Sequence, residues 1–501
     1  MKTVFLKAIT IIAVLIAETI FFSGTHAQNM DTVWTVSGTV TDQLGNPLPG
    51  ASIVVKGTTT GTITNMTGKY SINAPENAVL QFSFVGYAIQ EKLIVENRQV
   101  INVVMEEEEG IETAKPIDLT VHQIEKVETD NSFGFRMFRE VSKQKGENTF
   151  FSPLSLNMAL GMLYNGSSGT TRTEMAKTLG ITNCSLTEIN EYYQKMMQEL
   201  LKIDPITEIN IANSFWYRNE LPVKASFIET GKKYFDAEVK ALDFNSSTAA
   251  DIINKWCAEK TKNRINHIID NSMTDDMMMT LINALYFKSK WQKEKKFEKE
   301  KTKLDVFTKT NRQKIKVQMM EQTNSLPYYA DEQFQCVELP YGNQAFSMIA
   351  MLPHENMDIN RLIDHLADVK WQDVMNNMRE QRVWLKLPRF KMECDFSLSQ
   401  PIMNLGMKQI FDPRDADFEN IAKIYDVNWY VSDIKQKTFV EVNEEGTEAA
   451  AVTAIVVVGF GRRGTTVEPV RFFADRPFLF LIREKSTGLI LFIGRIDEPC
   501  E

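Results

Sequence analysis

The chain has 501 residues, 43% of them hydrophobic and 24% charged, with a formal net charge of −9. The length calls for two or more domains, the composition is that of a globular protein, and the acidic balance argues against general affinity for nucleic acid. Five scattered cysteines, Cys184, Cys257, Cys336, Cys394 and Cys500, are too few for a disulfide-built scaffold; buried thiols are expected, with a single bridge left open.

The first 27 residues read as a signal peptide. Lys2 and Lys7 precede an apolar run from Ala8 to Ala17, Glu18 interrupts it, and Ile20-Phe21-Phe22 leads to Thr25-His26-Ala27, a small-residue site for cleavage after Ala27. A membrane anchor is the alternative, but the run is shorter than the roughly 20 residues a spanning helix needs, and no cysteine stands near the cut to carry a lipid. The expectation is an exported protein: secreted (extracellular), periplasmic or at the cell surface.

Residues 31–105 alternate short β-rich runs with turn signals at Gly45-Asn46-Pro47, Gly57, Gly61, Thr67-Gly68 and Glu76-Asn77. Strands at this spacing predict an all-β sandwich. Four glutamates, Glu106 to Glu109, and the segment GIETAKPIDL follow, which makes 106–120 an acidic linker.

From 121 to 499 the texture is mixed α and β. Phe133, Met137, Phe138 and Val141 form a helical stripe. NTFFSPLSLNMALGMLYNGSSGTTRTEMAKTLG reads as a strand, a serine-capped helix with Pro153 in its first turn, a glycine loop and a second helix. INIANSFWYRN, TLINALYFKSKW, SMIAMLPHE, RVWLKLPRFKM and QKTFVEVNEE each read as one strand, and two more meet at Ser486-Thr487-Gly488. Strands far apart in sequence, with helices early, give an α+β domain. The lysines between Lys288 and Lys303 alternate with Glu294, Glu298 and Glu300, a pattern read as a solvated face in preference to an anion-binding patch.

No catalytic constellation emerges. The five histidines show no H-E-x-x-H and no pair at metal spacing, there is no G-x-S-x-G elbow and no G-x-x-x-x-G-K-[ST] loop, and Met277-Met278-Met279 reads as core filling. No metal and no cofactor are expected. Gly459, Gly461 and Gly464 match the dinucleotide fingerprint G-x-G-x-x-G, but Thr465-Thr466-Val467-Glu468-Pro469 is poor helix material, and the fingerprint needs a helix N-terminus there to hold pyrophosphate. A dinucleotide-binding enzyme remains only a remote alternative.

The most informative stretch is EEGTEAAAVTAIVVVGFGRRG, Glu444 to Gly464. Ala449 to Val458 has the composition of a strand buried on both faces, yet it runs straight into an arginine- and glycine-rich loop. In an extended chain Thr447, Ala449, Ala451, Thr453, Ile455 and Val457 share one face, and its first four residues are small.

Two resemblances organise these observations. SGTVTDQLGNPLPGASIVVKGT, GTITNMTGKYSI and LQFSFVGY resemble the carboxypeptidase-regulatory-like domain of many bacterial outer-membrane receptors. That implies a seven-stranded sandwich without catalytic role and a bacterial exported protein; the sandwich's partner is unknown. NTFFSPLSLNMALGMLYNGSSGTTRTEM, LINALYFKSKW, VELPYGNQAFSMIAMLP, FVEVNEEGTEAAAVTA and FFADRPFLFLI…ILFIGRI resemble the serpins over 121–499. This implies three β-sheets, about nine helices and an exposed reactive-centre loop. It also implies a monomeric, non-enzymatic suicide inhibitor of serine, or cysteine, proteases. A non-inhibitory serpin-like binding protein is the alternative.

The resemblance carries over by position. Glu444, Glu445, Gly446 and Thr447 match the proximal hinge, with Ala449, Ala450 and Ala451 as its small-residue run. Ser152, Ser155 and Asn283 match the polar shutter, and Trp291 the breach where the loop first enters. The shutter position often held by histidine falls on Gln436. Counting from Glu444 places the cleaved bond between Phe460 and Gly461, which implies a chymotrypsin-like target; Arg462 or Arg463 would instead suit a trypsin-like one. The helical stretch LTEINEYYQKMMQELLKID has no basic face, so activation by heparin is not expected. The roughly 15 residues from Gly446 to Phe460 would span about 50 Å as a strand. Burying Val452, Ile455, Val456, Val457 and Val458 would supply about 1.5–3 kcal/mol each.

Overall fold

The structure is a computed structural model and describes residues 33–43, 45–56, 58, 60–84, 87, 89–106, 113–145, 148–270, 277–423, 429–447 and 468–500. The expected signal peptide lies outside them. The chain divides into two compact units, Met1–Glu112 and Thr113–Glu501. Among the described residues no helix is long and apolar enough to cross a membrane.

In the first unit seven described strands form two sheets. β1 (Val33–Thr41), β4 (Lys69–Pro75) and β7 (Val103–Val104) make one, ordered β4-β1-β7. β2 (Ser52–Val55), β3 (Gly61–Ile63), β5 (Val79–Ser83) and β6 (Gln90–Leu93) make the other, ordered β3-β2-β5-β6. The alternation is clean where the sequence alternates: Tyr70, Ile72 and Ala74 are buried while Lys69, Ser71 and Asn73 are exposed. They join Val36, Val40, Ile53, Leu80 and Phe82 in one core. The Tyr70 hydroxyl, buried with them, donates to the Ile101 carbonyl at 2.9 Å, so the polar tip is satisfied.

The second unit has nine described α-helices: α1 (Val121–Lys145), α2 (Pro153–Gly166), α3 (Gly169–Leu179), α4 (Leu186–Leu200), α5 (Ala225–Phe235), α6 (Ala249–Lys260), α7 (Ile359–Asp368), α8 (Trp371–Asn377) and α9 (Ser399–Asn404). α2 starts as its sequence dictates. Ser152 is the N-cap, its hydroxyl accepting from the Ser155 amide at 3.2 Å, and Pro153 opens the helix. Almost every α2 residue is buried, as expected for a helix apolar on all sides.

A six-stranded sheet contains β9 (Glu208–Arg218), β10 (Glu238–Leu242), β11 (Met279–Lys290), β17 (Phe390–Ser397), β18 (Asp433–Asn443) and the two-residue β19 (Gly446–Thr447), ordered β10-β9-β11-β19-β18-β17. A nine-stranded sheet contains β8 (Thr149–Phe151), β12 (Lys303–Thr308), β13 (Lys314–Ala330), β14 (Phe334–Pro340), β15 (Phe346–Pro353), β16 (Arg379–Pro388), β20 (Val470–Phe473), β21 (Phe478–Glu484) and β22 (Ile490–Ile496). Its order is β20-β16-β13-β14-β15-β21-β22-β8, with β12 on β13. The three sheets implied by the resemblance therefore appear as two hydrogen-bonded networks. β13 is 17 residues long; it pairs with β16 from Met319 to Tyr328 and with β14 from Tyr328 to Ala330, so it joins what would be two sheets.

RVWLKLPRFKM, read as one strand, is two. β16 belongs to the nine-stranded sheet and β17 to the six-stranded one, with Arg389 at the break. β16 ends at Pro388, one residue before the Arg389 amide makes a last bond to the Gln318 carbonyl of β13 at 2.9 Å.

The main core includes α2 and both sheets; β11 contributes Leu281, Leu285 and Phe287 to it. The other face of β11 presents Ile282 and Ala284 to a second cluster with Trp216 of β9, Ile253, Trp256 and Cys257 of α6, and Ile265, Ile268 and Ile269 just after it. Cys184, Cys257, Cys336 and Cys500 are free thiols; Cys257, Cys336 and Cys394 are buried and Cys500 is exposed.

Candidate functional site

β11 and β18 are the strands around which the expected site residues gather. They pair directly and in parallel from Thr280–Asp433 to Ala284–Lys437. Beyond Ala284 and Lys437 the ladder stops and the strands part. At their far ends β19 sits between them, antiparallel to both, with Thr447 between Ser289 and Val442 and Gly446 between Lys290 and Asn443. Ser289 lies as many residues beyond Thr280 as Val442 lies beyond Asp433, so the two rails keep register across the gap. The result is a fork: zipped at one end, wedged open by one strand's width at the other.

Gly446 permits the wedge. Its φ is +150°, and a Cβ there would lie 2.1 Å from the Ser289 carbonyl oxygen. A side chain would meet backbone as well as strain. Thr447 follows, 1% exposed. Its hydroxyl makes a 2.6 Å hydrogen bond with that of Tyr341, which is buried and stacks on Trp291 at 4.5 Å and 8°. Burial pushes the Tyr341 hydroxyl well above its ordinary pKa, so it stays neutral. Trp291 also holds the turn before β19: its indole donates to the Asn443 carbonyl at 2.9 Å and its amide to the Glu445 carbonyl at 2.9 Å.

Glu444 anchors the same turn. It is 2% exposed, and Arg389 grips it with two nitrogens at 2.6 and 2.9 Å while the Thr302 hydroxyl donates to it. Burial by itself would raise its carboxyl pKa, but the bonds from Arg389 and Thr302 hold it below the usual carboxylate range. Glu445 faces Lys299 at 3.4 Å, and Lys295 reaches the Ser325 carbonyl at 2.7 Å. Part of the lysine-rich segment is thus engaged with the body of the protein, which the solvated-face reading did not foresee.

Under the zipped end lies a buried polar group. Gln436 accepts from the Ser152 amide at 2.8 Å and donates to the Ser152 carbonyl at 3.0 Å. The Ser152 hydroxyl donates to Leu491, and Asn283 donates to Asn213, which in turn bonds the Phe235 carbonyl. Among the described residues Asn283 Oδ1 and Ser155 Oγ are buried with no hydrogen-bond partner, a local cost that the closed arrangement carries.

The structure thus brings Glu444, Glu445, Gly446, Thr447 and Trp291 together at the open end, and Ser152, Ser155, Asn283 and Gln436 beneath the closed end. Ala449, Ala450, Ala451, Phe460, Gly461, Arg462 and Arg463 lie outside the described residues, as do Gly459 and Gly464 of the glycine fingerprint. Sequence reading missed Arg389, Thr302, Tyr341 and Asn213. Tyr341 stands inside the quoted VELPYGNQAF motif, and Arg389 directly follows a strand-ending proline; neither signal says what the residue touches. Among the described residues no group of His, Cys, Asp and Glu could hold a metal ion.

The serpin (serine protease inhibitor) family model covers residues 128–499, and a CarboxypepD_reg-like domain model covers 36–115. Serpin B6 of Pongo abelii is 34% identical over 380 residues, 74% of this chain and 99% of its own. Among solved structures, the native state of the thermophilic serpin Tengpin aligns with a TM-score of 0.70 and 31% identity, covering 77% of this chain and 97% of Tengpin. Thyroxine-binding globulin in complex with thyroxine aligns with a TM-score of 0.67 and 25% identity, covering 75% of this chain and all of that one.

Proposed function

The chain belongs to the serpin family, and from that premise we propose that it is an inhibitor that traps its target protease by inserting the cut loop into the six-stranded sheet. Serpins are generally protease inhibitors, although some, such as thyroxine-binding globulin, are not. The observation that carries the inhibitory reading is the fork: β19 already occupies the mouth of a one-strand gap whose rails are in register. Loop insertion in serpins is an established case of strand addition driven by released strain.

The register specifies what insertion would require. Continued past Thr447, it sets Ala449 opposite Phe287 and Val440, Ala451 opposite Leu285 and Thr438, and Thr453 opposite Asn283 and Gln436. Phe287, Leu285 and Val440 are buried against the main core, so the inserting face must be small, and in this sequence it is. Thr453 would bring a hydroxyl donor to Asn283, whose Oδ1 has no partner among the described residues. The first steps fill an existing gap; later ones must break the Thr280–Ala284 ladder. The target would attack the loop, form an acyl-enzyme, and be carried away before water completes hydrolysis.

A chymotrypsin-like protease cutting between Phe460 and Gly461 is the target class we favour, with trypsin-like attack after Arg462 or Arg463 as the second possibility. Export through the 1–27 signal, a monomeric state and independence from heparin belong to the same reading. Incubation with chymotrypsin and with trypsin, followed by denaturing gels and sequencing of the small C-terminal fragment, tests it. An SDS-stable complex with a fragment beginning at Gly461 is expected. Clean cleavage with no covalent band and no gain in heat resistance would favour a non-inhibitory binding protein.

A further inference from the structure

The first unit leaves one sheet edge unguarded. Its other edges carry the usual protection against pairing with a foreign chain. β4 starts at Lys69 and ends at Pro75, β6 presents Glu91 and Lys92, and β3 is only 3 residues long. The remaining edge is the run from Val100 through β7, which has no charge before Glu106. Val100 is 66% exposed and Val104 53%.

This run is better ordered than the two residues of β7 suggest. It keeps one parallel register on β1, from Ser37–Val100 to Thr41–Val104. The Ile101 and Met105 amides donate to the Ser37 and Thr41 carbonyls, and the Gln99 carbonyl accepts from the Ser37 amide. Between them the Asn102 side-chain carbonyl accepts from the Thr39 amide and hydroxyl at 2.9 and 2.8 Å. Ile101, Val103 and Met105 are buried, and Asn102 and Val104 are exposed. Strand alternation therefore turns the amides and carbonyls of Val100, Asn102 and Val104 away from β1. Among the described residues no strand lies on that side.

We propose that this edge pairs with the same edge of a second copy of the chain, antiparallel about Asn102, so that two three-stranded sheets join into one. The edge is self-complementary in that register. Val100 meets Val104 of the second copy, Asn102 meets its own counterpart, and Arg98 meets Glu106. The apolar pairs lie on one face, the facing residues exchange main-chain hydrogen bonds, and opposite charges close both ends. A parallel pairing would set Glu106 beside Glu106; the antiparallel one keeps them apart. Three facing pairs make a small contact, so the association is weak and reversible. The monomeric state proposed with the inhibitory reading belongs to the second unit, which takes no part in this contact. The pairing holds whether or not the chain inhibits a protease.

The test is sedimentation of the full chain over a range of concentrations. The wild type should behave as a reversible mixture of monomer and dimer. Val104→Pro removes an outward amide without touching a bond to β1, and should weaken the dimer by about tenfold or more. Arg98→Glu and Glu106→Arg should each weaken it too, because each sets like charges together at both ends. An equimolar mixture of those two variants should recover association, since each chain then offers the charge the other lacks, and so should the chain that carries both changes. Arg98 and Glu106 are exposed, so these variants test the register even if the proline disturbs the sandwich. A wild type that stays monomeric up to its solubility limit would overturn the proposal and leave the edge to a strand of another protein. A dimer indifferent to the single charge changes, or a mixture that associates no better than either variant alone, would overturn it as well.

Discussion

The two ends of the β11–β18 seam are built from the same two strands, yet one end is zipped and the other is wedged. At the zipped end Thr280–Ala284 and Asp433–Lys437 share a parallel ladder under a packed cover, and beneath it Asn283 Oδ1 and Ser155 Oγ have no partner among the described residues. At the wedged end the gap is filled by two residues held from three sides, by Tyr341, Trp291 and the Arg389–Glu444 pair. On the proposed inhibitory reading, the difference is that of a sheet stopped part-way through accepting a strand. The open end is pinned by good hydrogen bonds, while at the closed end Asn283 Oδ1 has no partner among the described residues, and on the proposed reading an incoming Thr453 would serve it.

The largest expected effect breaks the wedge itself. Thr447→Arg would place a charge on the buried hydroxyl of Tyr341, at a cost of several kcal/mol if it stayed there. The hinge should leave the gap, and the loop should remain cleavable without forming an SDS-stable complex. Gly446→Val comes next. It forces a side chain against the Ser289 carbonyl at positive φ, and should raise the moles of inhibitor consumed per mole of protease trapped by several-fold, measured by titration.

Arg389→Ala tests the anchor. Glu444 would be left buried without its main partner, lowering native stability by about 2 kcal/mol in a denaturant titration. The sign of its pH dependence follows from the depressed carboxyl. In the wild type the anchor's contribution is full above the ordinary carboxylate pKa and is lost as pH falls through the lower native value. In Arg389→Ala burial dominates and the native pKa rises, so the mutant lacks that acid-side loss and the stability difference between the two proteins should shrink as pH falls through the carboxylate range. The smallest effect sharpens the closed end: Gln436→His should make loop-insertion rates vary near pH 6.5, where histidine titrates, against a wild type whose Gln436 has no charge to change.

Much of this was legible beforehand for a physical reason. The hinge turn at Glu444–Thr447 and the sandwich's alternating strands are local patterns, and Ser152 with Pro153 writes the start of α2 into consecutive residues. What stayed hidden is tertiary. Arg389 meets Glu444 across 55 positions, and Tyr341 meets Thr447 across 106. The split of RVWLKLPRFKM between two sheets depends on which neighbours each half finds, which periodicity does not encode. The fusion of three expected sheets into two networks comes from the length of β13, whose two ends pair with different strands.

The most direct test of a sheet poised to accept its own loop is the thermal unfolding midpoint of the second unit before and after a single cut between residues 448 and 467. Burial of five β-branched side chains and a new ladder should together exceed roughly 10 kcal/mol, and the midpoint is predicted to rise by more than about 10 °C. A midpoint that stays put or falls after clean cleavage would contradict the account.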